Sequence, residues 1–275
     1  MSVPRTPLRA SRLRALLQGS LFGRHIHVLG SVDSTSDRLL ELARHGAASG
    51  TLLSADAQTA GRGRRGTHWV SPRGGGLYAS FLVRELPQAD DLRLLSSALG
   101  MAIVAALGER GLSATLKWPN DVLHSGAKLA GALVDVTSSK EGAFAVAGFG
   151  LNLATPALGA GADTALEATG LAAIAPGPWL REELLASVLL HYEAHHVHLL
   201  AGEREALRVA CLAHDALKNR RVRARLAQET VAGVVLASDP VLGLLLSLDD
   251  GSTRRLDAAR THLEWIEPLS ARERP

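Results

Sequence analysis

Cysteine is nearly missing from this chain: Cys211 stands alone among 275 residues. One thiol cannot build an intrachain disulfide framework, and such usage fits a reducing compartment. No apolar run approaches the roughly 20 residues of a membrane-spanning helix, and the start of the chain lacks the apolar core of a secretory signal. The cytoplasm is therefore the compartment expected, with no membrane partner. Net charge is scarce too. A formal +3 does not by itself argue for nucleic acid or an anionic surface. Acidic residues are absent before Asp33, while Arg5, Arg9, Arg12, Arg14 and Arg24 precede it. Mitochondrial transit peptides share that bias, but a short basic helix around Pro7–Gln18 accounts for it more simply. No internal repeat is apparent.

Lysine is the second scarcity. Of 30 basic residues only Lys117, Lys128, Lys140 and Lys218 are lysine. Where a chain otherwise writes positive charge as arginine, a retained lysine marks places that need a compact point charge in place of a planar fork. Lys117 and Lys128 both lie beside dense motifs.

What is present reads as an α+β protein with a mixed, mostly antiparallel sheet backed by helices, followed by a small β domain. Strands are expected at His25–Leu29, Thr51–Ala57, Leu77–Arg84, Ala114–Trp118, Lys128–Thr137 and Ala143–Leu153, the last two joined by a hairpin loop at Ser138–Gly142. Helices are expected from the Ser34-Thr35-Ser36-Asp37 cap to about His45, and over Asp90–Gly108, Trp179–Leu200 and Glu203–His214. Thr155–Gly177, rich in Gly, Ala and Pro, reads as a mobile loop or lid. From Leu217 short valine- and leucine-rich runs alternate with Asp-Pro and Asp-Gly turns, the texture of a small barrel. The boundaries expected are a basic segment 1–22, a main domain 23–215, a β domain 216–268 and a tail 269–275.

Four segments carry candidate chemistry. "GRGRRG" at Gly61–Gly66 sets Arg62, Arg64 and Arg65 among glycines; the glycines allow close backbone approach, and the guanidinium forks suit phosphate or carboxylate oxygens. No Gly-Lys-Ser/Thr follows, which excludes a Walker loop, and no helix opens at its end as a dinucleotide fingerprint requires. "KWPND" at Lys117–Asp121 presents an amine, an amide and a carboxylate at a strand end that Pro119 enforces. "KLAG" at Lys128–Gly131 opens a strand with lysine and leaves no side chain at Gly131. "GFGLN" at Gly148–Asn152 places small residues within a strand, Gly150 among them, and Asn152 at its end. The histidines at 191, 195, 196 and 198 do not converge on a metal and read as surface residues. The basic run Lys218–Arg225 reads as a solvated edge strand.

Together with Ser34-Thr35-Ser36, Gln58 and Trp69, these motifs appear in the order and rough spacing of biotin protein ligases, which the chain resembles strongly from about Val28 to Leu153. The resemblance implies the class II aminoacyl-tRNA synthetase/biotin ligase-like fold with a small C-terminal SH3-like β-barrel. It also implies a two-step reaction: biotin and ATP-Mg2+ give biotinyl-5′-adenylate, and the biotinyl group then passes to a lysine of a biotin carboxyl carrier domain of a carboxylase. Carried over by motif position, Ser34, Thr35, Ser36 and Gln58 would meet the ureido ring, although many relatives have Asn where this chain has Ser36. Arg62, Gly63 and Arg64 would line the biotin tail and carboxylate beside Gly131 and Gly150. Lys128 would be the essential cation, with Arg62 and Arg64 assisting catalysis. Arg64, Arg65, Trp69, Lys117, Asn120, Asp121 and Asn152 would form the nucleotide end, and no metal ligand is assigned. The loop would be mobile until ligand orders it. Some two dozen residues before the first strand are too few for a winged helix-turn-helix, so no sequence-specific DNA partner is expected; a monomer or a homodimer is. A lipoate or octanoate transferase, an Arg-Gly nucleic-acid module and an inactive ligase-like binder remain the alternatives.

Overall fold

The computed structural model of the chain describes residues 7–139, 142–157, 166–175, 177 and 179–267. Its strands are β1 (His25–Leu29), β2 (Thr51–Ala55), β3 (Gly76–Val83), β4 (Thr115–Lys117), β5 (Asp121–His124), β6 (Ala127–Ser139) and β7 (Gly142–Asn152), then β8 (Arg221–Arg225), β9 (Thr230–Asp239), β10 (Gly243–Ser247), β11 (Thr253–Leu256) and β12 (His262–Ile266). The helices are α1 (Ala10–Leu16), α2 (Thr35–Arg44), α3 (Leu94–Gly108), α4 (Leu171–Ile174), α5 (Arg181–Leu200) and α6 (Glu205–Ala213). No helix among the described residues is long and apolar enough to cross a membrane.

The first seven strands form one sheet in the order β1-β2-β3-β7-β6-β5-β4. Only β1 and β2 run parallel; every other pair is antiparallel. Strand side chains alternate between faces, and here the two faces have different fates. Leu77, Ala79, Phe81 and Val83 of β3, with Ala145, Ala147, Phe149 and Leu151 of β7, bury into a core shared with α3 and α5. The alternate positions point the other way. Leu82, Phe144 and Val146 pack there against Leu39 and Ala43 of α2, but α2 covers only that part of the face. Farther along, the same face presents Ser80, Gly148, Gly150 and Gly131. A sheet with one face fully packed and the other half covered leaves a trough, and the functional motifs open onto it.

The remaining five strands form a second antiparallel sheet, β11-β10-β9-β8-β12, over its own cluster of Val222, Ala224, Val235, Leu244, Leu246 and Ile266. β11 and β12 are its edges and do not pair, so this sheet is open and no closed barrel forms among the described residues. Trp118 of the KWPND motif is buried in this second cluster, which makes the motif the join between the two sheets.

Several expectations change. β5 is an addition to the strands expected: Ser125-Gly126 turns the chain in two residues, with φ of 50° and 83°, and so short a hairpin leaves no polar gap in the sequence. β11 and β12 were missed because each buries few side chains. Lys218–Arg225 is not an edge: β8 lies between β9 and β12, and its arginines alternate outward, Arg221 to Asp249 and Arg225 to Glu264. The N-terminal basic residues have a structural role, since Arg9 and Arg12 pair with Glu182 and Glu183 at the start of α5 while Leu13 is fully buried. Within Thr155–Gly177, residues 158–165 and 176 lie outside the described residues, and the part read as loop contains α4. Two residues of the Ser138–Gly142 hairpin loop, 140 and 141, also lie outside them, although β6 and β7 pair up to Ser139 and Gly142.

His196 is not a surface residue. It is 2% exposed, stacks on Tyr192 and touches Phe22, and its Nε2 lies 2.7 Å from the Glu85 carbonyl. Burial holds its pKa below the ordinary histidine value, against smaller opposing pulls from the Glu85 carbonyl and nearby carboxylates. The unfolded chain therefore binds a proton that the folded one refuses. This contribution to stability is complete above about pH 6.5 and is lost as pH falls through the depressed folded value. Urea midpoints at pH 7.5 and 5.5 are expected to fall more for the native chain than for His196→Gln, and equal losses would remove His196 as the cause.

Candidate active site

At one end of the trough the N-terminus of α2 meets the sheet. Ser34 caps the helix, accepting from the Asp37 amide at 3.3 Å, and Ser34, Thr35 and Ser36 are all buried. Each hydroxyl carries one proton, which fixes the direction of the network. Thr35 donates to Gln58 Oε1 through its amide (2.8 Å) and its hydroxyl (3.0 Å). Its proton thus engaged, Thr35 accepts from Ser80 at 2.8 Å, and Ser80 accepts from Ser36 at 3.0 Å. Gln58 Nε2 donates to Ser71 (2.9 Å), which donates to the Trp69 carbonyl (3.0 Å). Gly148 makes this packing possible, because a Cβ there would stand 2.5 Å from the Ser36 hydroxyl. The result is a blind polar pocket with prearranged donors and acceptors.

The middle of the trough is paved by backbone. Asp121, Gly131, Gly150 and Tyr78 form one row across β5, β6, β7 and β3. The Trp69 indole lies on its two glycines: a Cβ at Gly150 would fall 2.2 Å from Nε1, and one at Gly131 3.1 Å from Cζ3. The Trp69 Nε1 is buried without a hydrogen-bond acceptor. Lys128 Nζ sits 5.3 Å from the indole centroid, a cation–π distance.

Beyond the glycines stands a charge cluster. Asp121 takes Lys117 Nζ on Oδ2 at 2.7 Å and Lys128 Nζ on Oδ1 at 2.8 Å. Burial disfavours the carboxylate, but the two ammonium groups outweigh it and hold its pKa well below the usual range. Two cations around one anion leave a net positive charge in a site where Lys117 and Asp121 are buried and Lys128 is a fifth exposed. The backbone of Lys128 is gripped from the far side, its amide donating to Glu167 at 2.7 Å and its carbonyl accepting from Thr169 at 2.9 Å. Asn120 and Asn152 direct their amide nitrogens to the carbonyls of Ala132 and Thr169.

The arginine–glycine segment is a built hairpin and not the irregular loop its composition suggests. Gly63 donates to Thr67 and Trp69 to Gly61, each at 2.8 Å, around a turn in which Arg65 and Gly66 have φ of 54° and 75°. Arg64 donates to the Ala258 carbonyl at 2.6 Å, and Arg65 to Ala258 and Ala259 at 3.3 and 3.2 Å. Burial and then the neighbouring Arg225 lower the pKa of Arg65 from its ordinary value. Arg62 pairs with Asp37 and Asp135. The hairpin thus bridges the main sheet and the C-terminal sheet.

Every residue nominated from the sequence lines one cavity of about 1040 Å³. Sequence reasoning missed Ser80, which bonds to Thr35 and Ser36 behind the polar end, and Arg225, Arg254, Arg260 and His262 in the wall supplied by the C-terminal sheet. For Ser80 a signal existed, the one serine inside the buried run Leu77–Val83; the C-terminal wall had none. No cluster of three or more His, Cys, Asp or Glu fit to hold a metal occurs among the described residues.

A hydrogen-bonding pocket, a trough floored by strand glycines and a buried cationic cluster beside an arginine hairpin make a site suited to an elongated molecule that carries an anionic group at one end. Residues 28–152 match the Biotin/lipoate A/B protein ligase family, and the chain belongs to it. The biotin–[acetyl-CoA-carboxylase] ligase of Paracoccus denitrificans is 40% identical over 177 residues, 61% of this chain and 72% of that protein. The bifunctional ligase/repressor BirA of Bacillus subtilis is 28% identical over 249 residues, 89% of this chain and 76% of that protein. A biotin protein ligase from Aquifex aeolicus, solved in complex with biotin and ATP, superposes with a TM-score of 0.74 at 28% identity, covering 87% of this chain and 98% of that one.

Proposed function

We infer that the chain is an ATP-dependent biotin protein ligase, acting on the lysine of a carboxylase's biotin carrier domain. The observation that carries this reading is the continuity of the cavity, from the Ser34–Gln58 pocket along Gly150 and Gly131 to Lys128. A ureido ring matches the donors and acceptors of the polar end, an aliphatic tail the trough where the Trp69 ring lies over Gly150 and Gly131, and a carboxylate the ammonium at its exit. In the first step a carboxylate oxygen of biotin bonds to the α-phosphorus of ATP as the bond to pyrophosphate breaks. Two anions must approach, and Lys128 with Lys117 lowers that repulsion through fixed charge that needs no reorganisation. In the second step the neutral amine of the acceptor lysine attacks the acyl carbon, AMP leaves and the nitrogen loses its proton. Positioning and charge suffice for both, so no protein nucleophile is required.

Asn120, Asn152, Arg64, Arg65 and Trp69 form the nucleotide end in this reading, and Arg62 and Gly63 border the tail. Magnesium enters with ATP as part of the substrate, held chiefly by phosphate and water. Residues 216–268 are read as a separate small domain of SH3-like type whose arginines close the phosphate end. Calorimetric titration with biotin and with lipoate, alone and with ATP, tests the function together with pyrophosphate release. Biotin is expected to bind and to drive release in the presence of ATP. Release driven by lipoate and not by biotin would overturn the reading.

A further inference from the structure

One arginine of the hairpin, Arg62, lines the cavity and also has an unusual pair of partners. Arg62 Nη1 lies 2.8 Å from Asp37 Oδ1 in the first turn of α2, and Nη2 lies 2.9 Å from Asp135 Oδ2 on β6. These carboxylates belong to the two elements that flank the trough. α2 carries the polar pocket, and β6 carries Lys128 and Gly131 with Asp135 on the same face as Gly131. We propose that Asp37 and Asp135 are positioning residues that latch the arginine–glycine hairpin through Arg62, and so set how long the activated intermediate stays enclosed. The second half rests on the ligase reading.

The hairpin needs such fastening. Its tip, Arg65 and Gly66, is exposed, and its main apolar anchor is Trp69; few buried contacts mean easy local opening. On one side it is tied to the Ala258 and Ala259 carbonyls, and on the other to these two carboxylates. Asp37 has a second reason to exist, since an acidic residue suits the first turn of a helix. Asp135 has none of that kind, because aspartate is disfavoured within strands, and it therefore isolates the latch. The three side chains are between 31% and 46% exposed. Each pair is accordingly weak alone and screened by salt; acting together they tie one guanidinium to two walls.

The test uses the full chain. In the first arm, without ligand, trypsin cleavage after Arg62, Arg64 and Arg65 is followed bond by bond by mass spectrometry. Asp135→Asn and Asp37→Asn are each expected to speed it roughly twofold to fivefold, and the double variant further. Asp135→Glu should restore the native rate, thermal midpoints should stay unchanged, and 0.5 M salt should bring the native chain toward the variants. Cleavage at native rates in all variants overturns the latch. In the second arm biotin and ATP are supplied without acceptor. The initial pyrophosphate burst should be native in size, while biotinylation of a bystander protein rises by a similar factor. Faster proteolysis with unchanged bystander labelling overturns the retention role. A native chain that gives no burst overturns the ligase reading and the retention role with it, and the first arm still decides the latch.

Discussion

Replacing Lys128 by alanine is expected to slow pyrophosphate release from biotin and ATP by roughly a hundredfold to a thousandfold, the usual cost of removing one preorganised group from a developing charge. The side chain stands at the junction of the glycine trough and the charge cluster, 2.8 Å from Asp121 and 5.3 Å from the Trp69 ring. Among the described residues no other ammonium reaches that junction from the trough side, since Lys117 binds the opposite oxygen of Asp121. The fold should persist, because Asp121 keeps Lys117 as its partner. Lys128→Arg should recover little, as a planar fork does not reproduce a compact charge on β6. Single-turnover release measured with saturating ligands decides the point, and activity within about fivefold of native would remove Lys128 from its role.

The second large effect is on stability. Asp121→Asn leaves Lys117 and Lys128 facing each other across a neutral amide in a buried site. Removing one member of a buried ion pair costs about 3–5 kcal/mol, so the thermal midpoint should drop by several degrees at neutral pH. The pH dependence carries the signature. The folded-state pKa of Asp121 is depressed, because Lys117 and Lys128 outweigh the opposing effect of burial. Its contribution is therefore present above the unfolded value of about 4 and is lost as pH falls toward the folded one. The gap between native and variant chains should be widest near neutrality and close in acid. A gap independent of pH would mean that shape, and not charge, is what Asp121 supplies.

Both experiments probe residues that were readable as candidates in the sequence, for local reasons. KWPND and KLAG announce themselves locally: a proline that ends a strand, a lysine in a chain that has almost none, a glycine where a strand has no other need of one. The same local logic placed α2 from its serine cap and β3, β6 and β7 from their apolar runs. Hydrogen-bonding capacity, backbone freedom and alternation are properties of neighbours in the chain, so a sequence displays them directly.

The partnerships formed across the fold were not readable. Nothing near Ser80 says that it will accept from Ser36 and donate to Thr35, because that depends on the register Ser80↔Gly148 between β3 and β7. Likewise Asp37 and Asp135 meet Arg62 only once three separate elements are packed. His196 looked like one of four surface histidines until the placement of Phe22 buried it. The class of chemistry was set by residue types and their spacing along the chain. Which face of the sheet stays open, which carboxylates hold the roof arginine and which wall the C-terminal sheet contributes were decided by tertiary packing, because burial and long-range pairing do not exist before the chain has closed on itself.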